Sequence, residues 1–353
     1  MDAPPDHIES PGHASPNLRA GMVAVVGAAN AGKSSLINAL TGEKVSIVSP
    51  VAQTTRNLVR AILTEERGQV VFLDTPGVHS HGKKQLNQHM NKMARTSTEG
   101  VDVVMLIIDR SVKPALEVDG WMRRLAGEQE ATLLFVLNKC DQPDRSGKEL
   151  KALWHSICEE KRDTGIPACP SSPQAEVRET NRDTGTSPTR PWRSLIPACD
   201  SPVKVEWREV SAETGEGVDA LRNELLALMP EGPLLFPEDI VSDFPRKLAI
   251  GDVIREKFFH RLHQELPHSI AVWVEHLQEQ ENKWTIEAHV YVRQNSQKGM
   301  VIGNKGRLLK AVRGEAARDL HDIYGVDIKL NLLVKVVKDW DKNFWILRKL
   351  GYA

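Results

Sequence analysis

Aromatic side chains are scarce in this chain, at 5% of 353 residues, and only three of them are tyrosines. Cysteine is scarcer still. Cys140, Cys158, Cys169 and Cys199 are the only four, and they show neither metal-ligand nor disulfide spacing. That argues against a disulfide-stapled fold or a Cys-rich metal module and agrees with a reducing compartment. An excess of charge of one sign is also lacking, since the formal net charge is −1; any nucleic-acid surface therefore has to be local. No apolar run approaches the ~18 residues of a membrane-spanning helix, which is compatible with peripheral membrane contact. The first 20 residues are rich in Pro, Ser, His and Asp. They lack the apolar core of a signal peptide and the Arg-rich, acid-poor character of a transit peptide. A soluble, cytoplasmic protein is expected.

What is present starts with a hydrophobic content of 41%, enough for folded cores, in a length that suits two or three domains of ~150 residues. Residues 1–18 read as a disordered arm. Met22 to Val26 is a short apolar run that suits a buried strand. It leads into Gly27-Ala28-Ala29-Asn30-Ala31-Gly32-Lys33-Ser34, which fits G-x-x-x-x-G-K-[ST]. A helical pattern follows through Ser35, Leu36, Ile37 and Leu40. Strand, tight loop and helix form the context that a phosphate-binding loop requires. Glycine lets backbone N–H groups face phosphate oxygens, and the helix N-terminus adds partial positive charge. Lys33 would reach the β- and γ-phosphates of a nucleotide, and Ser34 would ligate Mg²⁺. The competing reading, a glycine turn that merely precedes Lys-Ser, is disfavoured by the flanking pattern.

Val45 to Arg56 is polar, proline-broken and long enough to move. Alone it would pass for a surface loop. Behind a phosphate loop, one of its two threonines would swing in to ligate Mg²⁺ when a γ-phosphate is present, with Thr55 preferred to Thr54. Val59 to Leu63 and Gln69 to Leu73 read as strands, the second ending in Asp74-Thr75-Pro76-Gly77. An Asp at a strand end can hold Mg²⁺ through water, and a Gly beside the γ-phosphate can offer its N–H and flip when that phosphate leaves. His79 to Thr98 would be a second switch. Val101 to Asp109 suits a central parallel strand, Trp121 to Ala126 a helix, and Ala131 to Leu137 the next strand.

That strand ends in Asn138-Lys139-Cys140-Asp141. The Asp141 carboxylate can accept two hydrogen bonds from N1–H and the exocyclic N2 of guanine. Adenine offers no such pair on that edge, so it would leave a polar group unpaired. Asn138 would approach guanine from the other side, the Lys139 stem would lie along the base, and Ser211-Ala212 would offer a backbone N–H to guanine O6. A helix N-cap after a strand is the bland alternative.

In this order the motifs resemble the translation-factor-related G proteins. Gln53-Thr-Thr-Arg56 and Asn30 are similar to the Era branch. The resemblance implies a doubly wound, mostly parallel α/β sheet with nucleotide at the C-terminal edge of the strands. It also implies GTP as substrate and GDP as product, with Mg²⁺ at Ser34, Thr55 and Asp74. Where Ras-like enzymes place a water-orienting Gln, this chain has Val78, which cannot orient water by hydrogen bonding. In relatives with Asn at the position of Asn30, that side chain helps hold K⁺. The same role here would make hydrolysis faster in K⁺ than in Na⁺.

About 70 residues separate Asp141 from Ser211, more than a compact G domain needs. The excess, about residues 161–202, is rich in Pro, Ser, Thr and Arg and repeats Arg-Asp-Thr-Gly and Ile-Pro-Ala-Cys. It reads as a disordered surface loop, with an insertion of no role preferred over an RNA tether or partner site. The first domain then spans 19–229 and a proline-rich linker 230–245.

From Arg246 the pattern becomes helix, two strands, then Gly303-Asn304-Lys305-Gly306, a helix, a third strand and a last helix. G-x-x-G between apolar Val301-Ile302 and a helix fits the backbone clamp of an α+β KH domain of type II over 246–353. Arg293 to Arg318 carries seven basic residues, among them Arg307, Lys310 and Arg313, against one acid, Glu315. That is an electrostatic footprint for RNA in a near-neutral chain. With Asp252 to Lys257, Glu265-Leu-Pro267 and Leu350-Gly-Tyr352, the resemblance to Era-type G proteins extends over about residues 20–353, the insertion excepted. It implies GTP-dependent binding of the 3′ end of small-subunit (16S) ribosomal RNA and a role in maturing the small (30S) subunit. Peripheral association with the inner face of the cell membrane and a link to cell-cycle control are also implied. Nothing demands more than a monomer. Two readings compete within this frame. One is another RNA-directed G protein of the superfamily, in ribosome assembly or tRNA modification; the other is an RNA-binding protein with a structural nucleotide. An ATP-using kinase is disfavoured by Asn138 to Asp141.

Overall fold

The computed structural model describes residues 18–46, 56–77, 85–127, 131–163, 205–262 and 266–352. Thr54, Thr55, Val78, the opening of the His79 region, the arm up to residue 17 and most of the 161–202 insertion lie outside the described residues.

The first domain is built on β1 (Arg19–Gly27), β2 (Val59–Glu65), β3 (Gly68–Asp74), β4 (Val103–Asp109), β5 (Thr132–Asn138) and β6 (Val205–Glu209). They lie in the order β2-β3-β1-β4-β5-β6. Only β2 and β3, joined by a tight turn, are antiparallel; every other pair is parallel. Parallel strands need crossovers, which here involve α1 (Lys33–Thr41), α2 (Gln85–Thr96), α3 (Leu116–Leu125), α4 (Gly147–Asp163) and α5 (Val218–Leu228). Period-two alternation sorts β1 between two apolar layers. Val23 and Val25 meet Leu36 and Leu40 of α1 and Leu225 of α5. Ala24 and Val26 share the other layer with Trp121 of α3 and Trp154 of α4. Phe135 meets Trp154 and Trp207 edge-on at 4.9 and 5.0 Å. Covering both faces is why β4 and β5 read as unbroken apolar runs.

The linker is laid along the sheet. Gln69 accepts from the backbone N–H groups of Leu235 and Phe236 and donates to the Phe236 carbonyl at 3.0 Å. Ile62 N–H donates to Val241 O, Ala61 bridges Ser242, and Arg60 pairs with Asp243 at 2.5 Å. One buried glutamine and the edge strand thus take up the linker's backbone groups.

The second domain has α6 (Arg246–Arg261), β7 (Ala271–Gln280), β8 (Lys283–Val292), α7 (Asn295–Ile302), α8 (Arg307–Tyr324), β9 (Asp327–Val336) and α9 (Phe344–Lys349). Its sheet runs β7-β8-β9, antiparallel then parallel. Ile250, Ile254 and Phe258 of α6 pack with Val312, Ala316 and Leu320 of α8 on this sheet. Sequence reasoning missed α7, where Val301 is the only buried residue and Gly299 interrupts the pattern.

Candidate nucleotide site and nucleic-acid interface

The phosphate loop leaves β1 at the point where the sheet order reverses between β3 and β4, the crevice where doubly wound sheets bind ligands. Gly32 caps α1 in a left-handed conformation, and no side chain caps the helix, so its first N–H groups face an incoming phosphate. Lys33 is 6% exposed, and its Nζ donates to the carbonyls of Gly27 at 3.2 Å and Ala28 at 2.9 Å. Burial pushes its pKa down from 10.5 to about 8, with Asp74 opposing. Between those two pH values the folded chain holds fewer protons than the unfolded one. Burying the ammonium therefore costs about 3 kcal/mol at neutral pH, and the cost fades as pH rises through that window. With Lys33 on the phosphates, GTP binding would need the charged amine. GTP affinity is expected to be flat between about pH 7, where the terminal phosphate is ionised, and pH 8, and to fall above it, approaching tenfold per pH unit. Isothermal calorimetry in buffers of different ionisation enthalpy would read the proton taken up.

Ser34 Oγ donates to Asp74 Oδ2 at 2.9 Å, across the gap between α1 and the end of β3. A hydroxyl and a carboxylate brought together in this way fit a hard cation that keeps several waters, as Mg²⁺ does. Thr75 Oγ1 donates to Val25 O at 2.7 Å and locks the strand end. Gly77 passes so close to the phosphate loop that an added Cβ would lie 2.9 Å from Ala29 Cα. The backbone at Gly77 is thereby placed against Ala29.

At the base end the structure refines the sequence reading. Asn138 is 2% exposed; its Nδ2 donates to Ala31 O at 2.9 Å, and its Oδ1 accepts from Ala212 N–H at 3.1 Å. It braces three motifs, the phosphate loop, the β5 end and Ser211-Ala212. Lys139 holds a left-handed backbone with φ 63°, and its Nζ donates to Asp109 Oδ2 at 2.5 Å. Asp109 ends β4 in register with Asn138. That register, invisible in one sequence, is why Asp109 was missed. The turn closed by Gln142 N–H on Lys139 O leaves Asp141 exposed. Asn30 stands exposed in the phosphate loop with φ 61°.

In the second domain α7 ends at Gly303, with φ 73°, where a Cβ would lie 2.7 Å from Leu308 Cβ. Lys305 and Gly306 are also left-handed, and α8 starts with no side-chain cap. Asn304 and Lys305 are exposed. Arg307, Lys310 and Arg313 are exposed too, three residues apart along one helix face. Glu315, the one acid of the stretch, is paired with Arg261, whose Nε donates at 3.1 Å. A loop with open N–H groups beside a basic stripe can hold a nucleic-acid backbone.

A phosphate-loop motif with the Ser34–Asp74 pair beside it and Asn138 to Asp141 at the next strand end, joined in one chain to a G-x-x-G loop, is the organisation of a G protein that carries a KH domain. Residues 22–139 match the 50S ribosome-binding GTPase family and residues 265–341 the KH domain family. The GTPase Era of Thermoanaerobacter sp. (strain X514) is 34% identical over 340 residues, covering 95% of this chain and 97% of that one. That of Geobacter sp. (strain M21) is 33% identical, with 95% and 98% covered. A solved structure of Era in complex with MgGDPNP and nucleotides 1506–1542 of 16S ribosomal RNA matches with a TM-score of 0.77. It is 30% identical, and 96% of this chain and 100% of that one are covered. A single-residue variant of Aquifex aeolicus Era bound to GDP·AlF4⁻ matches at 0.76, with 30% identity and 95% and 100% covered. The chain belongs to the GTPase Era family. It is a GTPase with a C-terminal RNA-binding KH domain.

Proposed function

We propose that the chain is a GTP-driven switch that binds the 3′ end of 16S ribosomal RNA and assists assembly of the small ribosomal subunit. The observation that carries this is the exposed Arg307-Lys310-Arg313 stripe behind the G-x-x-G loop, in a chain otherwise near neutral. The solved Era complex with 16S ribosomal RNA supports the choice of RNA. Mg²⁺ would be held by Ser34 and Asp74, with Thr55 joining when GTP is bound. The metal supplies charge neutralisation at the β- and γ-phosphates; the chain's own residues supply position. Asn138 sets the phosphate loop against the base-reading strand, and Gly77 sets the γ-phosphate sensor against Ala29. With Val78 unable to orient water, K⁺ at Asn30 would supply positive charge, and hydrolysis that runs equally in K⁺ and Na⁺ would count against it.

We place the activity in the cytoplasm, with the ribosomal precursor; contact with the inner face of the membrane would be peripheral. Among the described residues no helix is long and apolar enough to cross a membrane.

The test is a double substitution, Asn304→Asp with Lys305→Asp. Two carboxylates in the clamp repel phosphate. Affinity for an RNA copying the 16S 3′ end should fall by at least about tenfold at fixed salt, with GTP hydrolysis by the protein alone unchanged. Unchanged RNA affinity would remove the clamp from the interface.

A further inference from the structure

Arg56 and Asn57 follow Thr54-Thr55 in sequence, yet their side chains lie in the second domain. Arg56 is fully buried, and its guanidinium donates to the carbonyls of Ile270 at 3.0 Å and His268 at 3.3 Å. It sits 5.9 Å from the centre of the Phe259 ring and 5.8 Å from that of Tyr352. Asn57 Nδ2 donates to Leu350 O at 3.4 Å. Gly351 fits closely against the same asparagine, since a Cβ there would lie 3.1 Å from Asn57 Oδ1. On the other side of residues 47–55, Lys44 pairs with Asp319 at 2.8 Å and Glu256 at 3.4 Å. Lys44 and Arg56-Asn57, on the two sides of residues 47–55 in sequence, are thus both tied to the KH domain.

The second switch reaches the same place. Met90 of α2, on the helix that follows Asp74 to Gly77, is 2% exposed and belongs to one apolar cluster with Trp340, Leu347, Leu350 and Tyr352.

The seam holds two buried guanidiniums. Arg255 lies beside Arg56, donates to Tyr352 Oη at 2.5 Å and pairs with Asp252 at 3.0 Å. Burial pushes Arg56 below the usual arginine range; Tyr352 opposes this, and Arg255 adds to it. At Arg255 burial is outweighed by Asp252 and Tyr352, which hold the guanidinium above that range. Tyr352 is thus shared by both cations, so a shift of Arg56 is felt at Tyr352.

We propose that Leu350-Gly351-Tyr352 is the receiver through which both switches set the KH domain, by way of Arg56 and Asn57 from the first and Met90 from the second. This rests on the GTP-switch reading above. When the γ-phosphate draws in Thr55, Arg56 is pulled along the chain, and its grip on the His268 and Ile270 carbonyls and on Tyr352 changes with it.

The experiment measures RNA affinity with GDP and with GMPPNP, using a short copy of the 16S 3′ end, for wild type, Arg56→Lys, Tyr352→Ala and Met90→Ala. Thermal unfolding and GTP affinity are followed alongside. Lys keeps the charge but loses the forked donor, so Arg56→Lys decides the matter should Tyr352→Ala fail to fold. The wild-type ratio of the two affinities is expected to be about tenfold. In the variants it should fall below about twofold, with GTP affinity held. A ratio preserved in folded variants overturns the proposal alone, and so does an equal loss of RNA affinity in both states, which is what a merely structural contact would give. A wild-type ratio of one overturns the switch reading as well.

Discussion

Replacing Asp141 with Asn is expected to weaken GTP binding by roughly 10⁴-fold and to confer binding of xanthosine triphosphate. As the proposed base reader, the carboxylate would accept from N1–H and the N2 amino group of guanine. An amide in its place sets an N–H against the amino group, leaving donors face to face. Xanthine carries an oxygen at that position, so the same amide N–H finds an acceptor. Asp141 is exposed, and its turn is closed by backbone groups of Lys139 and Gln142, so the fold should tolerate the change. Competition between the two nucleotides reads the outcome. An unchanged preference for GTP would place base selection elsewhere, with Ser211-Ala212 the next place to look.

Lys33→Met should lower GTP affinity by about 10³-fold, because a desolvated ammonium on a polyphosphate makes several charge-assisted bonds. The same change should leave the nucleotide-free protein as stable as before, or more so, at pH 7. Methionine keeps most of the unbranched stem inside the loop and removes an amine whose pKa burial has pushed to about 8. Loss of binding and gain of stability together would show that Lys33 is held at a cost to the empty fold, which nucleotide repays. A destabilised Lys33→Met would mean that the bonds to the Gly27 and Ala28 carbonyls outweigh the burial of charge. Chemical denaturation of nucleotide-free protein separates the two.

Much of this site was legible because it is local. Gly27 to Ser34, Asp74 to Gly77 and Asn138 to Asp141 each occupy the end of one strand, and the parallel sheet brings strand ends together. Gly303 to Gly306 was legible for the same reason. What could not be read from sequence rests on long-range packing. Asn138 also braces Ala31 and Ala212, a role that only the positions of those two residues reveal. Gln69 looks like one polar residue in a strand until the linker is laid across it. Arg56 looks in sequence like part of a polar loop, yet it is fully buried by groups 212 and 214 residues away. A buried cation breaks the pattern on which the loop reading depends, and its partners, two backbone carbonyls and two rings, leave no mark in sequence. Helix α7 was missed because a single buried position, Val301, gives no periodicity.

The most direct test of the central claim is the affinity of the wild-type chain for an RNA copying the 3′ end of 16S ribosomal RNA, with GDP and with a non-hydrolysable GTP analogue at one fixed salt concentration. The account predicts tighter binding with the analogue, by about tenfold. Equal affinity in the two states would contradict it, leaving a KH domain that binds RNA without regard to the nucleotide beside it.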